Sequence, residues 1–139
     1  MVINHIGIAV KSLDEAASHW KSVFGYQQAT HPVINTRQKV RVMFLKKQGS
    51  IDIKLMEPTD EPSPIFQFTK RGGGLHHLCF KCDNIESELE KMKTLGLRII
   101  APAQPGEAFG NEKIAFVFAK FGLNIELIDT DKRAKQIFI

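Results

Sequence analysis

The stretch most able to do chemistry is Gly72-Gly73-Gly74-Leu75-His76-His77-Leu78-Cys79-Phe80-Lys81-Cys82. A glycine run delivers two adjacent histidines onto an apolar segment that reads as a strand. Near the start, Ile3-Asn4-His5-Ile6-Gly7-Ile8-Ala9-Val10 has the same form. Imidazole changes charge near neutral pH and ligates metals when neutral. One histidine per stretch, at the start of the same kind of element, is therefore where chemistry is expected. A lone histidine there is ordinarily a core or surface residue; a matched pair points to a shared site. His76 alternates to the opposite face from His77 and is read as a supporting or surface group. Cys79 and Cys82 lie three apart on one strand, facing opposite ways, and are read as strand residues rather than a disulfide or redox pair.

The elements that must position these histidines repeat. After the first strand, Ser12-Leu13-Asp14-Glu15 is a capping box. Leu13, Ala16, Ala17, Trp20, Val23 and Phe24 then form one helical face, and Gly25 ends it. His31 to Gln38 is irregular, with room for a short strand. Val40–Leu45 is a strand, and Ser50–Glu57 alternates strictly, with Ile51, Ile53 and Leu55 on one face and Asp52, Lys54 and Met56 on the other. The segment 58–72 holds three prolines and reads as a linker, with a short helix at Ile65–Lys70. The pattern then restarts. Strand Leu75–Cys82 leads to a cap at Asn84 and a helix with Ile85, Leu89, Met92 and Leu95 as its apolar line, closed by Gly96. A strand Leu97–Ala101, a Pro/Gly-rich loop to Asn111, and strands Lys113–Ala119 and Asn124–Asp129 complete it.

The order β-α-β-β-β thus occurs twice. The offset from His5 to His77 is 72, as it is from Ser12 to Asn84 and from Lys54 to Glu126. A shared offset is the mark of a duplicated module. The class expected is α+β, one domain over 1–139: module 1 about 1–57, linker 58–72, module 2 about 73–131 and a tail 132–139. Each half alone leaves a sheet face uncovered, so the halves must pack together or against another copy.

Of 139 residues, 43% are hydrophobic and 24% charged, which describes a globular chain and excludes a disordered one. No apolar run is long enough for a membrane helix, and no secretory signal is read at the start. A cytoplasmic protein is expected. The net charge of +4 favours anionic partners. Lysines and arginines are scattered and no zinc-finger or recognition-helix pattern appears, so nucleic-acid binding is set aside. Trp20 and the ten phenylalanines are assigned to the core. A homodimer is expected, because the open sheets have edges to cover and the apolar end Gln136-Ile137-Phe138-Ile139 offers a contact.

The duplicated β-α-β-β-β pattern resembles the vicinal oxygen chelate superfamily (glyoxalase and bleomycin-resistance proteins) over essentially the whole chain. Asn4–Val10, Ser63-Pro64-Ile65, Gly73–Phe80 and Asn124–Leu127 look most like the methylmalonyl-CoA epimerases; the glycine-led His-His is the most specific of these. The resemblance implies paired, curved mixed sheets around one concave site. It implies one divalent metal there, Co, Zn, Ni, Mn or Fe, held by His5, His77 and Glu126. Two neutral imidazoles and a carboxylate suit such ions and leave positions open for a chelating substrate. The fourth ligand, Glu or Gln in relatives, falls on Lys54. An acid that helps move the α-proton falls on Arg37.

Glu126, Lys54 and Arg37 are thus the candidate catalytic residues. The activity implied is proton transfer α to the carbonyl of an acyl thioester, on CoA or a carrier protein. Lys54 either repels the metal or replaces it, pairing with Glu126 and stabilising an enolate by charge. Arg37 is a loop residue suited to a carboxylate or phosphate. Two alternatives stand beside this: a non-catalytic binding protein for an acyl thioester or other small anion, and another metal-dependent reaction of the superfamily, a lyase or a dioxygenase.

Overall fold

A computed structural model describes residues 1–138. Strand β1 (Val2–Ala9) leads through the Ser12 cap into α1 (Leu13–Phe24). The Ser12 hydroxyl accepts from the Glu15 amide, and Gly25 closes the helix at φ +76°. There follow β2 (Gln27–Gln28), β3 (Val33–Asn35), β4 (Val40–Lys46) and β5 (Asp52–Pro58). A one-turn helix α2 (Phe66–Lys70) sits in the connection. The second half runs β6 (Gly74–Lys81), α3 (Ile85–Thr94), β7 (Arg98–Gly106), a 3-10 turn (Glu107–Phe109), β8 (Glu112–Ala119) and β9 (Leu123–Ile128). No helix among the described residues is long and apolar enough to cross a membrane.

The strands form one mixed sheet of order β2-β4-β5-β1-β6-β9-β8-β7, with β3 beside β4. β1 and β5 are parallel, as are β6 and β9, and the halves join where β1 meets β6 antiparallel. Ile6 pairs with Leu78, its own counterpart in the repeat. A local two-fold therefore passes through that pair, and the register Gly7 to Lys54 is repeated as Cys79 to Glu126. β5 and β9 are three strand gaps apart, about 14 Å in a flat sheet. Their side chains nevertheless meet, so the sheet curls around them.

The sheet has two apolar faces. Ile53, Leu55 and Met43 pack with Leu13, Ala16 and Trp20 of α1. Leu78, Phe80, Ile125 and Leu127 pack with Ile85, Leu89 and Met92 of α3. The concave face carries Ala9, Val42, Phe44, Met56, Cys79, Phe109, Ile114 and Ile128. Both cysteines are free and buried, Cys79 on the concave side and Cys82 under α3.

Several expectations are corrected. The segment expected to be a strand 97–101 and a loop is one strand, β7, running through Pro102 and Pro105. It lies at the sheet edge, where a missing amide costs no ladder bond. Leu95, Val23 and Phe24 are exposed rather than part of their helices' buried faces. Phe118, Phe121 and Phe138 are exposed, whereas Phe44 and Phe109 are core. The tail packs back on its own chain, where Thr30 bridges Gln136, His31 N–H donates to the Lys135 carbonyl and Ile137 N–H donates to the Ala29 carbonyl, while Phe138 stays exposed. It runs alongside residues 29–31, which connect β2 to β3. The Ile139 part of the expected tail contact lies outside the described residues.

Candidate functional site

Four side chains of the concave face, His5, Lys54, His77 and Glu126, are each at most 1% exposed. Glu126 is at their centre. Its Oε1 lies 3.0 Å from His5 Nε2 and 3.2 Å from His77 Nε2, and its Oε2 lies 3.4 Å from Lys54 Nζ. The two-fold through Ile6 and Leu78 explains the convergence. Equivalent strands of both halves aim equivalent residues at one axis, so the imidazoles face each other and Lys54 faces Glu126.

Packing holds these groups in place. Phe44 meets His5 edge-on at 5.1 Å between ring centroids, and Phe116, its counterpart in the second half, meets His77 edge-on at 5.9 Å. Phe109 lies beneath, with its centroid 5.2 Å from Lys54 Nζ. Gly7 faces His77 across the β1–β6 pair; a Cβ there would stand 2.1 Å from His77 Cε1. The glycine is therefore the space the imidazole occupies. Gly73 turns with φ +66°, and a Cβ on it would strike the Ala9 carbonyl at 2.2 Å. That close approach is what the glycine run before His76 permits.

Each histidine is oriented by the residue before it. The β1–β6 ladder slips between Ile3 and His5 and again between Gly7 and Ile8, which leaves Asn4 and His76 as extra residues. Such bulges turn two successive side chains toward one face. His76 is thus corrected from the far face: its Nδ1 lies 2.8 Å from His77 Nδ1. In the matching place, Asn4 Oδ1 lies 2.8 Å from His5 Nδ1.

Burial dominates the electrostatics. It lowers His5 to about 4, against the pull of Glu126, and lowers His76 to about 4. His77 is lowered for the same reason. Burial pushes Glu126 up, but the Lys54 charge and the contacts of His5 and His77 outweigh it and hold the carboxyl well below its usual range. Burial raises the Cys79 thiol, so it stays protonated.

Donor chemistry then tests the fit of a metal. Arg133 Nη2 approaches Asn4 Oδ1 at 3.1 Å, and a guanidinium can only donate. Asn4 therefore presents oxygen, and His5 donates to it from Nδ1. His5 Nε2 is thereby turned toward Glu126 Oε1, 3.0 Å away. His77 Nε2 is close to the same oxygen but misaligned for a hydrogen bond, and is buried without a partner. These three atoms lie within 4.8 Å of one another, the convergence a divalent cation requires. Lys54 contacts the other carboxylate oxygen and leaves Oε1 to that cation.

A cavity of about 410 Å³ opens beside this centre. Its lining includes Arg37, Gln38, His76, Gln104 and Asn124, with Met56, Ile65 and Phe116 as apolar walls. Arg37 is exposed at this mouth. Glu107 closes the neighbouring loop by accepting from the Thr36 amide and, at 2.8 Å, from its hydroxyl.

Residues 4–116 match the family model described as Glyoxalase/Bleomycin resistance protein/Dioxygenase superfamily. The chain belongs to that superfamily. It is 34% identical over 116 residues to the uncharacterized protein YqjC of Bacillus subtilis (strain 168), covering 83% of this chain and 81% of that one. The crystal structure of methylmalonyl-CoA epimerase from Mycobacterium tuberculosis superposes with a TM-score of 0.81 at 32% identity, covering 91% and 86% of the two chains. A methylmalonyl-CoA epimerase in complex with methylmalonyl-CoA and NH4+ superposes at 0.80 with 27% identity, covering 96% of each. The fold is the glyoxalase fold.

Of the five residues singled out from sequence, His5, His77, Glu126 and Lys54 come together, and Arg37 stands apart at the cavity mouth. Sequence reading missed Asn4, Asp52, Asn124 and Arg133. Asn4 and Asp52 had a signal, since the repeat pairs each with another polar residue facing the site, His76 and Asn124. Arg133, in the tail, had none.

Proposed function

We propose that this chain is an epimerase-like enzyme that moves the proton α to the carbonyl of an acyl thioester. The observation that carries this is the convergence of His5 Nε2, His77 Nε2 and Glu126 Oε1 beside a mostly apolar cavity. A divalent ion (Co, Zn, Ni, Mn or Fe), held by those three atoms, would polarise the thioester carbonyl. Glu126 takes the α-proton at Oε2. Lys54, paired with that oxygen, supplies the charge that stabilises the enolate, and the proton held on Glu126 returns to the α-carbon, on either face as the enolate turns. Arg37, at the mouth, holds a substrate carboxylate or phosphate. Phe44, Phe109 and Phe116 keep water from the centre.

Epimerases among the structural relatives support the substrate class, and one of them holds NH4+ with its acyl-CoA. Here Lys54 carries an ammonium of its own. A second reading, binding of an acyl thioester without turnover, is favoured by one observation: Lys54 neutralises Glu126 and weakens it as a base. Solvent deuterium incorporation at the α-carbon of methylmalonyl-CoA, with protein loaded with Co or Zn, decides between them. Exchange above the protein-free rate supports the enzyme; saturable binding with no exchange overturns it. A homodimer is kept as part of the proposal. Light scattering that shows only monomer at micromolar protein would remove it.

A further inference from the structure

The same repeat offset also pairs Asn4 with His76, Phe44 with Phe116 and Asp52 with Asn124. In the second half, His76, Phe116 and Asn124 line the open cavity. In the first half the equivalent place is filled by Arg133. Its Nη1 donates to Asp52 Oδ2 at 2.6 Å and its Nη2 to Asn4 Oδ1 at 3.1 Å, and its Cζ lies 3.9 Å from the centre of the Phe44 ring. The side chain is 9% exposed. The tail that delivers it is fixed by backbone bonds, Ala134 N–H to the Ala108 carbonyl at 2.9 Å and Ile137 N–H to the Ala29 carbonyl at 2.8 Å.

We propose that Arg133 is a positioning residue: it plugs the twin of the open cavity and, through Asn4, fixes the orientation and tautomer of His5. A side-chain amide offers either oxygen or nitrogen to its neighbour. A guanidinium that only donates removes that choice and holds the Asn4 oxygen between itself and His5. His5 must then carry hydrogen on Nδ1 and direct Nε2 at Glu126. This holds whichever charge state the ring adopts. Asp52 neutralises Arg133 locally, so the plug adds no net charge to the centre. His77 has no such lock, because its partner His76 can donate or accept. The larger cavity is left on the His76 side, and on the other a cavity of about 230 Å³ stops at Arg133, with the rigid imidazole behind it. The inference rests on the reading of His5 as a site residue and not on which reaction occurs.

The test is nitrogen-15 NMR of the imidazoles in the metal-free protein, which reports which ring nitrogen bears hydrogen. Wild type should show His5 in a single form with hydrogen on Nδ1. Arg133→Ala should lose that single form. Guanidinium chloride at millimolar concentration, far below denaturing levels, should restore it by filling the vacated place, and ammonium chloride should not. An unchanged His5 signal in Arg133→Ala, or a changed one that guanidinium fails to restore, overturns the proposal. If Arg133→Ala does not fold, Asp52→Asn keeps the guanidinium on Phe44 and removes its charged anchor. It should perturb His5, and an unperturbed signal overturns the proposal equally. Absence of α-proton exchange would leave this result untouched.

Discussion

Lys54 and Glu126 hold the same position in the two halves of the chain, and their side chains meet at 3.4 Å with neither exposed to solvent. Two equivalent positions have become a buried ion pair at the centre of the molecule. Its charge decides how the site treats a metal, and its burial decides how the fold tolerates change.

Lys54→Gln should raise divalent-metal affinity by orders of magnitude. A unit charge ~4 Å from a dication costs on the order of several kcal/mol at an effective dielectric constant near 20. Calorimetric titration of wild type and variant with Zn or Co measures it. If wild type already binds one metal tightly and the variant binds no better, Lys54 does not oppose the metal.

Glu126→Gln in the metal-free protein should destabilise the fold by about 3–5 kcal/mol, because it strands the Lys54 ammonium without a counter-charge. Lys54→Met with Glu126→Gln should recover much of that loss. Urea denaturation reads both. A cost below about 1 kcal/mol for the single change would mean that water reaches the pair.

Gly7→Ala should displace the His77 ring, since the added Cβ falls where the imidazole stands. The expected cost is about 1–3 kcal/mol, as for an overfilled core. Metal affinity should fall more than stability does. A variant with wild-type metal affinity would place His77 outside the ligand set.

Acid should unfold the metal-free protein early. His5 and His76 are each held to about 4 in the fold, against an ordinary 6.5. Between those values the unfolded chain binds more protons, so stability is full above pH 6.5 and falls as pH drops toward 4, by several kcal/mol in all. Glu126 adds a loss below the ordinary carboxylate range, because its folded value is depressed. Thermal melts across this acid range should show the slope. A flat profile there would contradict neutral buried imidazoles.

Much of the fold was legible because its period is kept. Strand alternation, the Ser12 and Asn84 caps and the glycine stops placed β1, α1, β4, β5, β6, α3, β8 and β9. The constant offset brought His5, His77, Lys54 and Glu126 to one place. It failed where the offset changes. Val33 faces Val42 and Gln104 faces Ile114, so the outer strand runs at an offset of 71 against 72 in its partner. With two prolines added, β7 did not look like a strand. The bulges at Asn4 and His76 were invisible because an extra residue reads as ordinary alternation, and that is why His76 was assigned to the wrong face. Arg133 was beyond reach because its partners are set by where the tail folds back.

The opposite charges at positions 54 and 126 also govern assembly. If two first halves paired along β1 in place of β1 with β6, two ammonium groups would meet in a dry interior; two second halves would oppose two carboxylates. Either costs far more than it gains. Only unlike halves neutralise each other, so the chain carries its own rule against self-paired halves. Fragments 1–61 and 62–139 mixed in solution should therefore combine one to one, and native mass spectrometry should find the mixed pair in preference to either fragment with itself.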